Sequence, residues 1–414
     1  MSQFVAGMTC AACGRRAALQ PTQVCPDCFG PLEVAYDYDA VRRVVSREAI
    51  AARSRTLWRL HELLPLLGPA RPETSVGFTP LVRAERLARA LGVAELYVKD
   101  ETASPLSGSF KDRLVAVALA KAREFGLKTV ACSTTGNLGL ALAAQAPHAG
   151  FRCVVFVPAA TPESLSVAMS AQGAHVVRVD GDYDRVNRLC VEVADRYGWA
   201  FVNVNLKPYY AEGSKTIGFE IAEQLGWRAP THLVAPMGSG SLLIKMGQAL
   251  RECERVGLLP EAHTRLHGAQ AAGCAPIVAA VNAGSDAVRP VRPNTSAHSI
   301  AIGDPGDGPL AARAILDTGG SADEASESET AAAMHLLAET EGIRAEPAGG
   351  VAVAVTQKLI QQGKIERDAP VVICVTGRER MLPPSPTPHP LPTIPASLRD
   401  FANLCRERGW NGDG

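Results

Sequence analysis

Short apolar runs recur along the chain, separated by longer alanine-rich stretches. Glu95–Asp100, Thr129–Cys132, Cys153–Val157, His175–Val179, Ala200–Val204, His232–Ala235, Arg265–Ala269 and Val371–Val375 each read as a strand. The units repeat at about 25–35 residues, and short apolar strands alternating with helices predict parallel sheets covered on both faces. Residues 40–70 follow another rhythm. Apolar positions three and four apart at Val41, Val44, Val45 and Ile50, then Trp58–Pro65, predict amphipathic helix. Gly77–Leu81 reads as a turn. Leu382–Pro395 has proline at nearly every second position, which rules out helix and central strand and predicts an extended wrap or linker.

A chain of 414 residues can bury two sizeable cores. Lys+Arg and Asp+Glu are both 42, so no net field draws the protein to nucleic acid or to an anionic membrane. There is no long apolar span, and MSQFVAGMTC lacks a basic start followed by an apolar core, so the expectation is a soluble, cytoplasmic protein. Of the eleven cysteines, Cys10, Cys13, Cys25 and Cys28 form two CxxC pairs separated by eleven residues. That spacing suits four thiolates around one zinc ion; reduced structural cysteines or a redox pair are the alternatives. Four cysteines leave no open coordination position, so the metal would be structural. The other seven are scattered and read as small buried apolar residues.

Four loops carry candidate chemistry. In Ser107–Arg113 a lysine, Lys111, opens an apolar helix. Alone, such a string is more readily an exposed first-turn lysine beside a capping serine than a nucleophilic amine. Cys132–Gly139 places three hydroxyls, a glycine and an asparagine between a strand and a helix, more than a plain cap requires, and so suits an anion. Pro236–Leu243 is a second strand–loop–helix junction, with glycines that let backbone N–H groups approach a phosphate; it matches neither a Walker nor a dinucleotide fingerprint. Thr376-Gly377 ends the last predicted strand.

Taken in order, these stretches resemble the threonine synthase family, fold-type-II enzymes dependent on pyridoxal phosphate (PLP). Lys207–Thr216, Glu220–Trp227, Pro293–Pro305 and Thr340–Gly350 add to the resemblance, which spans roughly residues 8 to 377. Cys25–Asp37 is also similar to the zinc ribbon found on some members. The resemblance implies an α/β, two-domain fold of the tryptophan-synthase-β type with PLP in the cleft and an N-terminal zinc ribbon. The ribbon would occupy residues 1–35, the large domain 36–111 with 211–380, the small domain 112–210, and the proline-rich tail 381–414. It implies that Lys111 is the Schiff-base lysine and Phe110 its neighbour on the cofactor. Gly238, Ser239, Gly240 and Ser241 would cradle the cofactor phosphate, Asn137 would touch the ring hydroxyl, and Thr376 would bond the pyridine nitrogen. Ser109, Thr134, Thr135, Lys207 and Lys215 would meet the substrate. A homodimer is the family expectation.

Some positions depart from the family pattern. Leu165 stands where a lysine is expected, Pro347 replaces threonine in Glu346–Gly350, and Arg378-Glu379-Arg380-Met381 follows Thr376-Gly377 where Asp/Asn-Gly-Leu-Lys is expected. Three readings stay open. One is a threonine synthase, forming threonine and phosphate from O-phosphohomoserine and water. Another is a paralogue replacing or eliminating a group on a different activated amino acid, such as phosphoserine with sulfite in the manner of cysteate synthase. The third is a catalytically silent ribbon-bearing interaction protein.

Overall fold

The apolar runs read as strands all form strands, in a computed structural model that describes residues 4–68, 75–261, 263–380 and 391–410. Val5–Cys10 (β1), Arg16–Ala17 (β2) and Leu32–Tyr36 (β3) make a small antiparallel sheet in the order β2-β1-β3. Along the rest of the chain come Leu81–Arg83 (β4), Glu95–Asp100 (β5), Thr129–Ser133 (β6), Arg152–Pro158 (β7), His175–Asp180 (β8), Ala200–Phe201 (β9), His232–Pro236 (β10), Arg265–Ala271 (β11), Ala322–Ala325 (β12), Pro370–Val375 (β13) and Thr393–Pro395 (β14). Six of these form a sheet in the order β12-β11-β10-β13-β5-β4, parallel except for β4 at its edge. The other five form a parallel sheet, β14-β8-β7-β6-β9.

Both parallel sheets are covered on two faces, as continuous apolar strands require. In β10, Leu233 and Ala235 pack with Leu243 and Met246, whereas Val234 joins Val351 and Val355 on the opposite side. In β7, Val155 and Val157 meet Leu140 and Leu142, while Val154 and Phe156 meet Val186 and Phe401.

The structure departs from the sequence reading at four places. The predicted amphipathic stretch 40–70 is broken into helices Tyr38–Arg42 and Arg47–Ala51 and a 3₁₀ segment, Leu57–Leu63, because Ser46 and Thr56 each restart the chain as N-caps. The turn at Gly77–Leu81 runs directly into the edge strand β4. β12, sequence ADEA, has alanines and acids in place of β-branched residues and gave no strand pattern. The C-terminal segment, taken as a tail, contributes to a core: β14 pairs with β8, and helix Leu398–Arg408 buries Phe401 with its ring 5.0 Å from that of Phe156. Pro395 is tolerated because β14 is an edge strand. Most of the proline-rich stretch, 381–390, lies outside the described residues.

Candidate active site

β5 leads through the 3₁₀ turn Glu101–Ala103 into a loop that ends at helix Lys111–Glu124. The Asp112 carboxylate accepts from the amides of Leu106 and Ser107 at 3.0 Å, so the first turn of the helix holds the loop that precedes it. The loop is also fixed to the end of β13: Phe110 N–H donates to the Thr376 carbonyl (3.0 Å) and Arg378 N–H to that of Gly108 (2.8 Å). Ser109 is fully buried, its hydroxyl 2.9 Å from that of Ser107. Lys111 Nζ lies 4.4 Å from the Phe110 ring centroid and 5.6 Å from that of Tyr210. Among the described residues it has no hydrogen-bond or ion-pair partner. Burial lowers its pKa to about 8, against a smaller upward pull from Glu346. An amine crowded by apolar groups and unpaired is the form in which lysine acts as a nucleophile.

The loop after β6 approaches this lysine from the other sheet. Thr134 Oγ1 accepts from the amides of Gly136 (3.0 Å) and Gly139 (3.3 Å), so it caps helix Asn137–Gln145, and Thr135 is exposed. Asn137 Nδ2 donates to both carboxylate oxygens of Glu346, at 3.0 and 2.9 Å. Glu346 opens helix Pro347–Gln361 and also accepts from Ser299 Oγ at 3.2 Å. Burial raises its pKa, and the Asn137 bond works against the rise. A Cβ on Gly377 would sit 2.8 Å from Glu346 Oε1, so that glycine makes room for the carboxylate. Glu346 was not among the residues singled out as functional; its only signal was the Glu346–Gly350 string. It bridges the two sheets directly beside Lys111.

A third loop runs from β10 to helix Ser241–Arg255. Gly240, at φ +91°, forms the N-cap, and no side chain caps this end. Among the described residues, Ser239 Oγ accepts from the Ser241 amide alone, at 3.3 Å. A long helix with an uncapped N-terminus leaves amides and a positive dipole end for an anion. Thr376, at the end of β13, is 3% exposed. The residues fit PLP: a crowded, unpaired amine for its aldehyde, and an uncapped helix end for its phosphate.

Comparison with known proteins agrees. Residues 73–377 match the family model described as pyridoxal-phosphate dependent enzyme. The chain is 35% identical to the threonine synthase of Methanocaldococcus jannaschii, over 89% of this chain and 91% of that one. It is 36% identical to that of Methanosarcina acetivorans, again over 89% and 91%. The chain belongs to the threonine synthase family. In fold it is similar to threonine deaminase isoform 2 from Solanum lycopersicum (TM-score 0.61, 22% identity, covering 73% of this chain and 84% of that one). It is similar likewise to maize serine racemase (TM-score 0.60, 19% identity, covering 74% and 90%). It is thus a PLP-dependent enzyme of fold type II.

Of the two lysines expected to meet substrate in this family member, Lys215 does not serve. Its side chain is fully buried, with Nζ 2.6 Å from Glu212 and 3.0 Å from Glu252 and lying over the Tyr36 ring. Its charge is committed to those carboxylates, so the substrate assignment is corrected to a structural one. Lys207 is 2.8 Å from Asp307 but still 37% exposed. From the first turn of the Lys111 helix, Arg113 enters a second buried cluster with Glu101 (2.8 Å) and Glu220, with Lys99 2.7 Å from Glu220.

The four N-terminal cysteines converge. Their sulfurs all lie within 4.8 Å of one another, with Cys10–Cys28 at 3.4 Å and Cys13–Cys25 at 3.8 Å. Sulfurs about 2.3 Å from a common tetrahedral centre stand about 3.8 Å apart, so the set fits one zinc ion. A Cβ on Gly30 would be 2.6 Å from Ala12 Cβ and 3.0 Å from Cys10 Sγ, which explains the glycine. Among the described residues no helix is long and apolar enough to cross a membrane.

Proposed function

We propose that the protein converts O-phosphohomoserine and water to threonine and phosphate. The observation that carries this is the likeness to threonine synthases over about nine-tenths of both chains, ending on an unpaired, crowded Lys111. In this reading Lys111 would hold PLP, and once the substrate amine has displaced it, would move protons at the substrate Cα and Cβ. The cofactor supplies an electron sink for the pairs left when those protons are removed. The C–O bond at Cγ breaks and phosphate leaves with its electron pair; one proton is returned to Cγ, which becomes the methyl group, water adds at Cβ, its hydroxyl to carbon and its proton to the base, and a last proton returns to Cα. The amides of Gly238–Ser241 would hold the cofactor phosphate, and Thr376 would face the ring nitrogen as a neutral partner. Asn137, now turned to Glu346, is the donor that would reach the ring hydroxyl. Ser109, Thr134 and Thr135 would border the substrate. Glu346 stands where it favours the protonated form of Lys111 and so tunes the base.

A second reading keeps this chemistry on another activated amino acid, favoured by Leu165 and by Arg378 and Arg380 at positions where the family pattern differs. One experiment separates the two: incubation with O-phosphohomoserine, following phosphate and threonine together. Equal release of both supports the first reading; no release, with a spectral response to a different amino acid, supports the second. We further infer one structural zinc held by Cys10, Cys13, Cys25 and Cys28, and a homodimer, which light scattering of the purified protein tests.

A further inference from the structure

Arg380 leaves the end of β13 and turns back toward the Lys111 loop. Its Nη2 donates to the Ser107 carbonyl at 3.0 Å. Its Nη1 lies 3.9 Å from the position a Cβ would take on Gly136, and Leu165 Cδ1 lies 4.0 Å from that same position. A guanidinium and a leucine methyl therefore converge on one point of the loop that follows β6. The guanidinium is partly desolvated, yet among the described residues that one carbonyl is its only hydrogen-bond partner and it has no ion pair. The nearby carboxylate, Glu346, is already bonded to Asn137 and Ser299. Arg378 adds a second positive charge, its Nε 3.1 Å from the Cβ position of Gly108. A guanidinium has five N–H donors in a fixed fork that matches oxyanion geometry. Here most of them are unused, in a place where burial strengthens any anion they meet.

We propose that Arg380 receives the anionic group at the far end of the substrate side chain, a phosphate or similar oxyanion, with Leu165 supplying only an apolar wall. The inference rests on reading this cleft as the amino-acid site, and it names the residue that selects a charged side chain. The loop after β6, with its hydroxyls and helix end, is left for the α-carboxylate.

The test uses full-length, PLP-loaded enzyme with Arg380→Gln and Arg380→Lys. Two ligands are titrated by calorimetry: L-2-amino-5-phosphonopentanoate, which carries a stable distal oxyanion, and L-threonine, which has the carboxylate but no distal charge. Arg380→Gln is expected to weaken the phosphonate roughly 10- to 100-fold, the size of one charge-assisted contact. Threonine affinity should stay within about threefold, and Arg380→Lys should recover part of the loss, since it keeps the charge without the fork. Equal weakening of both ligands, no weakening of either, or no binding of the phosphonate by the wild type overturns the proposal. Phosphonate binding that depends on Arg380, without phosphate release from O-phosphohomoserine, leaves this inference standing and removes the substrate assignment. Turnover of O-phosphohomoserine that is unchanged in Arg380→Gln does the reverse.

Discussion

Lys111 and Lys215 each occupy the first position of a helix, where the dipole disfavours a cation. Their surroundings diverge from there. Lys215 is flanked by Glu212 and Glu252, rests on the Tyr36 ring, and shares Glu212 with Lys245 (2.8 Å). Lys111 has two aromatic rings and no carboxylate partner. Burial thus acts on both ammonium groups, but only at Lys215 is it offset by ion pairs. One lysine is held as a strut, and the other is left in the form that the proposed role of a reactive amine needs. The same contrast holds between the buried cluster in which Arg113, Lys99, Glu101 and Glu220 balance one another and the pair Lys111 and Arg380, which among the described residues have no ion-pair partner.

The largest effect should come from Lys111→Ala. Activity should fall by at least about 10³-fold, as expected when a general base and nucleophile is removed. The borohydride-reducible yellow chromophore should vanish while the melting temperature barely changes, because no partner is orphaned. Retention of a covalently held PLP would sink the assignment. The sign of the pH effect follows from the lowered pKa: in cofactor-free protein the neutral amine accumulates as pH rises through about 8. The rate of PLP capture should therefore level off above about 8, and a rate still climbing to 10 would mean an ordinary, solvated lysine.

Glu220→Gln and Glu212→Gln strike the struts. Each leaves buried cations short of counter-charge, Lys99 losing Glu220 and Arg113 keeping Glu101 alone in the first, Lys215 keeping Glu252 alone in the second, and breaking a buried pair in this way costs about 3–5 kcal/mol. A large drop in melting temperature should appear, whereas Glu→Gln at the exposed Glu379 should shift it little. Arg113 and Lys99 hold the Glu220 carboxyl at about 2, and Lys215 and Lys245 do the same for Glu212. With folded values depressed, this stability is fully present above the ordinary carboxylate range of about 4.5 and is lost as pH falls toward 2. Acid melting curves of the two variants should accordingly lie closer to wild type at pH 3 than at pH 7.

The ribbon offers a milder break in the same comparison. β3 carries Tyr36, whose hydroxyl donates to Glu212 at 2.6 Å, so the cysteine-bearing sheet is tied to the Lys215 cluster and not to Lys111. Cys10→Ser with Cys25→Ser should remove about one zinc per chain and lower the melting temperature, with kcat within about threefold of wild type, since a four-cysteine site has no open position for chemistry. Metal analysis and kinetics on one preparation check both parts. Freshly reduced wild-type protein without metal would favour bare thiols.

Much of this contrast was legible in the chain and part was not. The strands were readable because both parallel sheets are buried on two faces, which makes each strand a continuous apolar run. Lys111 and the glycine-bearing loops were readable because loop–helix junctions for anions use few residue types. The fate of Lys215 was not readable, since Glu252 is 37 residues away in sequence and meets it only in the fold. Glu346 escaped for the same reason, and Arg380 stood out only as a departure from the family pattern: their surroundings depend on Asn137, Ser107 and Gly136, all more than 200 residues earlier. β14 was masked by its prolines, which are compatible with an edge strand but give no apolar run.

Lys207 stands between the two kinds of lysine and should give the smallest effect. It has a counter-ion, Asp307, as Lys215 does, but it remains 37% exposed and so stays within reach of a ligand. A half-exposed pair of this sort contributes about 0–1 kcal/mol because water screens it. Lys207→Gln should therefore shift the melting temperature by only a degree or two. If the ammonium also meets the substrate, KM should rise by less than about fivefold with kcat unchanged, because a screened contact that is equal in ground and transition states affects binding alone. A rise comparable with that of Arg380→Gln would place Lys207 beside Arg380 as a second anion receptor. An unchanged KM would make it, like Lys215, a strut.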